Sequence, residues 1–444
     1  MLISLACRSV TIAVLILTPP IFLHFGTREL LGSWLILVAI PVSLNLFDLG
    51  VPHIAGSYMA ISYAKGDHRH YASLFWTALS YALCSLPIIV SIIYILRDLL
   101  VRITVQSFDP VVLSITIGLM VVQAQLQAIT LNAVRARGQV SVSQMIDAGG
   151  RLFELGVVTI ALARGSNLLG CIVAAMLVRL AALGFAAAVL AVGDRPGHLR
   201  QSGPSRQTFG KLLVPSTTYA LNGAGQLAYI QAPILLLGSA VGAGASAAYS
   251  SMRTLSRMGA QIFMPLLDPL RPQLSAAYAV ADQSKLRLLF GRALQSVVWS
   301  SIGLALILIV FGRFVFTHWT LGKIPFDPPL FWMLLASSIF YSISQVQMLF
   351  LASLARHQVL SSLSFGLIAL AIAAAWLIGS NARIISGSLL VADAAIALIG
   401  GVIVRRVAPE ATEGAILAAL KPPLWLAREL GAAVQLGLAR LAVR

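Results

Sequence analysis

The chain is a succession of apolar runs, most of them about 20 residues long, separated by short polar connections. That is the length an α-helix needs to cross the hydrocarbon core of a bilayer. Such runs occupy 9–26, 33–63, 73–96, 110–134, 143–163, 167–192, 211–237, 243–277, 290–311, 328–352, 359–379 and 384–404. They predict an all-α integral membrane protein of twelve transmembrane helices. The runs 33–63 and 243–277 are longer than a crossing requires. They hold Pro41, Pro52, Pro265, Pro269 and Pro272, so tilts or breaks are expected in both.

The connection from Asp194 to Arg206 is polar, central and rich in Gly and Pro, which reads as a linker between two halves. The expected organisation is a six-helix lobe at 1–192, a cytoplasmic linker at 193–210, a second six-helix lobe at 211–405 and an amphipathic cytoplasmic tail at 406–444. A faint duplication accompanies it. At an offset of 215 positions, Tyr63, Ala64, Asp67, Leu74 and Phe75 match Tyr278, Ala279, Asp282, Leu289 and Phe290, with Trp34 opposite Tyr249.

Composition narrows the class. Over 444 residues, 59% are hydrophobic and 10% charged, which leaves little for a soluble domain. The net charge of +16 is scattered in short clusters between apolar runs, with no aromatic-flanked basic patch, so nucleic acid is not the expected partner. With the N-terminus placed in the cytoplasm, nineteen of the 31 Lys and Arg residues fall on inner connections and seven on outer ones. Both termini are therefore expected to be cytoplasmic. The tail, with Lys421, Trp425, Arg428, Arg440 and Arg444, is expected to lie on anionic lipid. Arg8 precedes an apolar run that ends in Thr18-Pro-Pro with no small-residue cleavage site, so the first helix is expected to stay in the mature protein. Cys7, Cys84 and Cys171 have neither disulfide nor metal-ligand spacing.

Polar positions inside the runs are the functional lead. Arg253, Arg257, Gln261, Met264, Asp268, Arg271 and Ser275 follow one another at steps of three and four and line one helix face. Gln144, Asp147, Arg151 and Glu154 repeat the spacing, with Asp147–Arg151 and Arg151–Glu154 as candidate pairs. Gln123, Gln127, Asn222, Gln226, Tyr229, Asn45 and Asp48 continue the theme. A charge at mid-bilayer costs about 2.5–3.5 kcal/mol on insertion scales, so these groups are expected to share an aqueous cavity. Arg253 and Arg257 have no acidic residue within a turn, and paired guanidiniums suit phosphate or pyrophosphate. The competing reading of Asp147, Arg151 and Glu154 is mutual neutralisation between packed helices. Asp268 and Arg271 are spaced as a pair, for gating or neutralisation. Arg179 is open to the bland reading of a residue packed on a neighbouring carboxylate.

No Walker A, GxSxG, HExxH or dinucleotide-binding glycine motif occurs, and the outer connections are short, so neither an enzyme nor an ATP-driven pump is expected. Phe25-Gly-Thr-Arg-Glu-Leu-Leu-Gly-Ser-Trp34, Asn45-Leu-Phe-Asp48-Leu-Gly50-Val-Pro52, Ala64-Lys-Gly-Asp67, the stretch from Gly242 to Tyr249, Pro272-Gln-Leu-Ser275 and Ala281-Asp282 together resemble the multidrug/oligosaccharidyl-lipid/polysaccharide (MOP) exporter superfamily. The branch resembled is that of the Wzx-type O-antigen and exopolysaccharide flippases.

The resemblance implies two six-helix lobes around a central, often cationic cavity. It implies a substrate, an undecaprenyl-pyrophosphate-linked oligosaccharide carried across the bacterial inner membrane by alternating access, and polysaccharide polymerase machinery as a partner. Arg253, Arg257 and Arg151, with Gln261, Asn222 and Gln226, are then the expected cavity residues. Asp48, Asp147 and Glu154 are candidates for coupling to H+ or Na+, and no other cofactor or metal is expected. Tyr249-Ser-Ser-Met-Arg253 also resembles the cavity arginine of lipid II flippases. Those have fourteen helices, which argues against the peptidoglycan precursor. Two alternatives stay open: a cation-coupled multidrug exporter of the same fold, and an integral-membrane polymerase or ligase of lipid-linked glycans.

Overall fold

A computed structural model describes residues 2–44, 48–95, 109–193, 197–259, 261, 270–354 and 356–412. It is all-α, with no strand among the described residues. In chain order the helices are α1 (Leu2–Phe25), α2 (Arg28–Leu44), α3 (Val51–Ala64), α4 (His68–Ile95), α5 (Pro110–Ala136), α6 (Val140–Ala163) and α7 (Leu168–Val192). A 3-10 turn at His198–Arg200 follows, then α8 (Arg206–Ala240), α9 (Ala243–Ser256), α10 (Leu270–Ala279), α11 (Gln283–Trp319), α12 (Pro328–Ser353), α13 (Gln358–Ile378), α14 (Ala382–Val407) and α15 (Pro409–Thr412).

Local chemistry starts these helices where it should. Asp109 accepts from the Val111 and Val112 amides ahead of α5, Asn167 from Gly170 ahead of α7, Ser205 from Thr208 ahead of α8, and Asp327 from Leu330 ahead of α12. Pro110 and Pro328 sit at the first helical position, where a missing N–H costs nothing.

Eight of the described helices are long and apolar enough to cross a membrane, namely α1, α4, α5, α7, α11, α12, α13 and α14. The chain is a multi-pass membrane protein. The other expected crossings are helical too, but polar or interrupted. Asp147, Arg151 and Glu154 make α6 too charged by that measure. The run 33–63 breaks between α2 and α3 at Leu49 and Gly50, whose φ angles of 49° and 73° are left-handed. Of the run 243–277, the described residues include α9 and α10. The break at Leu49 and Gly50 falls in an over-long, proline-bearing run. The expected tail helix lies outside the described residues beyond Thr412.

The chain forms two compact units, one of residues 1–254, 316–325 and 372–385, the other of 255–315, 326–371 and 386–444. In the first, α6 packs on α1 and α7, α5 on α3, α4 and α7, and α8 on α2, α3 and α4. Val51, Ala55, Met59, Tyr71, Leu74 and Ile129 make a core within it. Arg137, one of the basic residues ending α5, donates from Nε to the Tyr71 hydroxyl at 3.0 Å and from Nη1 to the Leu190 carbonyl at 2.8 Å, tying α5 to α4 and α7. In the second unit α10 packs on α12, and Phe290 of α11 meets Phe350 of α12 with ring centroids 4.5 Å apart and the planes tilted by 44°.

The faint duplication has a structural counterpart. Between α3 and α4 the Asp67 amide donates to Ser62 O at 2.9 Å, the Gly66 amide to Tyr63 O at 3.1 Å, and the Asp67 carboxylate accepts from the His70 amide at 3.0 Å. Between α10 and α11 the Asp282 amide donates to Ala277 O at 2.9 Å, the Ala281 amide to Tyr278 O at 3.1 Å, and the Asp282 carboxylate accepts from the Lys285 amide at 2.9 Å. Every position is displaced by the same 215 residues.

Candidate functional site

Arg253 lies in the last turn of α9 and is 8% exposed. Its Nη1 donates to the Ile230 carbonyl of α8 at 2.7 Å, and its guanidinium carbon lies 5.3 Å from the centroid of the fully buried Tyr249 ring. Stacking and hydrogen bonding together hold the cation in place. The tyrosine four residues before an arginine therefore has a physical role: it is the face on which the guanidinium rests.

Arg257 belongs to the second unit, at the turn that follows α9. Its guanidinium carbon is 4.0 Å from the centroid of Tyr341 on α12. Gln261 lies a turn further on, half-buried, with its carbonyl oxygen shut away from solvent and without a partner among the described residues. Arg271 is on α10, its side chain outside what is described, and Asp268 lies outside the described residues altogether. Asn222 is on α8, its side chain likewise not described, and Gln226 of the same helix is exposed.

The polar face of α6 resolves into two pairs. Arg151 Nε meets Asp147 Oδ2 at 3.3 Å, both side chains substantially exposed. Glu154 does not turn to Arg151. Arg179 of α7 grips it with two charge-assisted bonds, Nη2 to Oε1 at 2.7 Å and Nε to Oε2 at 2.9 Å. That geometry favours the neutralising reading for Glu154, because a bidentate fork is satisfied by its carboxylate. Asp48 sits in the break between α2 and α3, where its carboxylate accepts from the Gly50 amide at 2.6 Å and helps close the left-handed turn.

One buried charge escaped the spacing argument. Asp393 of α14 is 2% exposed and accepts a hydrogen bond from the Ser337 hydroxyl of α12, itself 3% exposed. A signal for it exists: it is the only carboxylate between Asp327 and Glu410. It has no polar neighbour at helical spacing on its own helix, which is why a stripe search passes over it. No cluster of His, Cys, Asp and Glu fit to hold a metal occurs among the described residues.

No protein-family model matches the sequence, and no curated protein matches it. Solved structures do. An inward-facing multidrug resistance MATE family transporter of the MOP superfamily superposes with a TM-score of 0.74 at 14% identity, covering 93% of this chain and 99% of the other. The fold is that of the MATE transporters. An outward-facing multidrug resistance MATE transporter superposes at 0.60 with 14% identity, covering 92% of this chain and 96% of the other. A MOP superfamily transporter from Pyrococcus furiosus, described as having a binding pocket of reverse polarity that suggests a different function, superposes at 0.57 with 13% identity, covering 93% and 95%. At such identities what is shared is the MATE fold, and the function has to be argued from the residues.

Proposed function

We propose that the protein is a flippase that carries an undecaprenyl-pyrophosphate-linked oligosaccharide, an O-antigen or exopolysaccharide repeat unit, across the bacterial inner membrane by alternating access. The observation that carries this reading is Arg253, a permanent cation almost wholly buried in a membrane protein and seated on Tyr249. Fixed guanidiniums in a low-dielectric setting recognise phosphate oxygens through paired charge-assisted bonds. A pocket for cationic drugs wants the opposite sign.

In this reading Arg253 and Arg257 are assigned to the pyrophosphate and Arg151, Gln261, Asn222 and Gln226 to the headgroup. The chain crosses twelve times in two six-helix lobes with both termini in the cytoplasm, and hands its cargo to polysaccharide polymerase machinery. Coupling to H+ or Na+ falls to Asp48 or Asp147 before Glu154, which Arg179 already holds. Solved structures of this fold in inward- and outward-facing forms support alternating access as the mechanism.

The second reading, a cation-coupled multidrug exporter, is favoured by the multidrug transporters among the structural neighbours. Reconstituted protein separates the two. Flipping of a fluorescent lipid-linked glycan in liposomes is expected, lost in Arg253→Ala and Arg257→Ala at equal protein level. Ethidium efflux without flipping would favour the exporter, and glycan elongation would make the protein an enzyme. Normal polymer export by cells carrying both arginine variants would refute the pyrophosphate assignment.

A further inference from the structure

Pro19 and Pro20 interrupt α1, a helix otherwise long and apolar enough to span a membrane. Neither has an amide hydrogen, so the carbonyls of Leu15 and Ile16 lose the donors that a helix supplies four residues ahead. The second of these carbonyls is served from elsewhere. The indole of Trp319, in the last turn of α11, donates to Ile16 O at 2.8 Å. Shortly after it, Lys323 Nζ donates to the carbonyl of Leu23 and, at 3.0 Å, to that of Gly26. Leu23 O is one of the last carbonyls of α1, which find no donor within their own helix. The stretch of α1 beyond the prolines is thus held at both ends by side chains of one short segment.

Local geometry presents both donors. α11 ends in a left-handed turn, with φ angles of 54° at Leu321 and 69° at Gly322. The Gly322 amide donates to Thr317 O at 2.8 Å and the Lys323 amide to Thr320 O at 3.0 Å, so the chain reverses before it leaves α1. Thr320 and Phe316 are fully buried, as are Phe22 and Leu23 of α1. The unit boundary falls at this place: Gln283 to Val315 of α11 belongs to the second unit, whereas Phe316 to Pro325 belongs to the first, with α1. A movement of one unit against the other is therefore taken up at this end of α11 or breaks the bonds that hold it. Each bond is modest in net worth, so the three favour the held form without making it permanent.

We propose that Trp319 and Lys323 form a latch that fastens the end of α11 to α1, and that its release accompanies opening of the transport pathway at the membrane face where α1 ends. Pro20 is part of the device, because the carbonyl it frees is the catch that receives the indole. The proposal rests on transport by alternating access and is indifferent to the cargo.

The test places a reporter thiol in the latch. Thr320→Cys, combined with Cys7→Ala and Cys84→Ala, leaves two shielded thiols, the reporter and the buried Cys171 of α7. A water-soluble maleimide is added to the purified full chain in detergent, and mass spectrometry follows each thiol separately. Lys323→Met and Trp319→Phe are each expected to speed modification at position 320 about fivefold, the population change that loss of an ordinary hydrogen bond brings, with Cys171 unchanged. Pro20→Ala returns an amide hydrogen to Ile16 O and makes the indole dispensable, so Trp319→Phe should add little in that background. Should Thr320→Cys not fold, hydrogen exchange of the α1 amides beyond Pro20 is measured instead, with the same expected order.

Unchanged modification at position 320 in both donor variants, or equal acceleration at Cys171, overturns the latch. A full effect of Trp319→Phe in the Pro20→Ala background overturns the part given to the Ile16 carbonyl. The link to transport is read in reconstituted protein with the fluorescent lipid-linked glycan or ethidium, whichever the wild type moves. Once the reporter is fully modified the latch cannot reseat, and transport of that probe is expected to be lost; undiminished transport overturns the link. Labelling and exchange involve no cargo, so failure of the flippase reading leaves those arms intact.

Discussion

Gly66 and Ala281 close the same turn at equivalent places in the two halves, with φ angles of 75° and 53°. The hydrogen bonds around them coincide one for one at an offset of 215 residues. Only one of the two is the residue that a left-handed backbone favours. A Cβ at φ > 0 costs roughly 1 kcal/mol. Ala281→Gly is therefore expected to raise the unfolding midpoint in detergent, and Gly66→Ala to lower it. A Cβ on Gly66 meets nothing within 4 Å, so the loss reports backbone strain alone. Opposite shifts in thermal melts confirm the equivalence of the turns, and shifts of the same sign refute it.

The Glu154–Arg179 fork joins α6 to α7 with both side chains mostly buried, at 16% and 24% exposure. Removing one partner strands the other. Glu154→Gln or Arg179→Met is expected to destabilise by about 2 kcal/mol, less than a fully buried pair would cost because some exposure remains. The double replacement Glu154→Leu with Arg179→Leu is expected to recover most of that loss. A transport defect in the double variant at wild-type abundance would return Glu154 to the list of coupling residues.

How far the sequence alone reaches can be judged residue by residue. The crossings with clean apolar runs coincide with the helices that meet the measure for spanning, because length and hydropathy are local properties. The break in the run 33–63 was legible from its length and prolines. The partner of Glu154 was not. Periodicity along α6 brings Arg151 within reach, whereas the actual partner, Arg179, stands on the next helix, and pairing between helices depends on rotation that no single-helix pattern encodes. Asp393 was hidden for the same reason, its companion Ser337 being 56 residues earlier. Tyr249 and Tyr341 became meaningful only as surfaces on which guanidiniums rest.

Gly32 of α2 leaves the least room for a Cβ among the described glycines. A Cβ built there falls 1.8 Å from the carbonyl oxygen of Ala243, the first residue of α9. The obstacle is backbone, so no rotamer change relieves it. Gly32→Ala is expected to cost about 3 kcal/mol, the upper end of ordinary overpacking, and Gly32→Val more. Membrane yield and melting temperature should fall in the order Gly, Ala, Val. Full stability of Gly32→Ala would mean that α2 and the start of α9 do not meet so closely.

The segment after α7, expected as a linker between two halves, is held to α4 by several contacts in the described part. Trp76 Nε1 donates to the Leu199 carbonyl at 2.8 Å, the Ser205 amide to Thr77 Oγ1 at 3.0 Å, and the hydroxyls of Ser73 and Thr208 are 3.0 Å apart. His198 stacks on His68 with ring centroids 3.6 Å apart and the planes 6° from parallel. Each contact is modest, so the clasp opens at a cost of a few hydrogen bonds. Trp76→Phe keeps the ring and deletes one bond, worth about 1 kcal/mol. When reclosing outpaces cleavage, proteolysis tracks the open population, so that loss should speed tryptic cutting after the exposed Arg200 about fivefold. Thr77→Val, which deletes the acceptor for Ser205, should act in the same direction. Cutting at Arg200 no faster than in the wild type for both variants would show that these bonds do not hold the linker down.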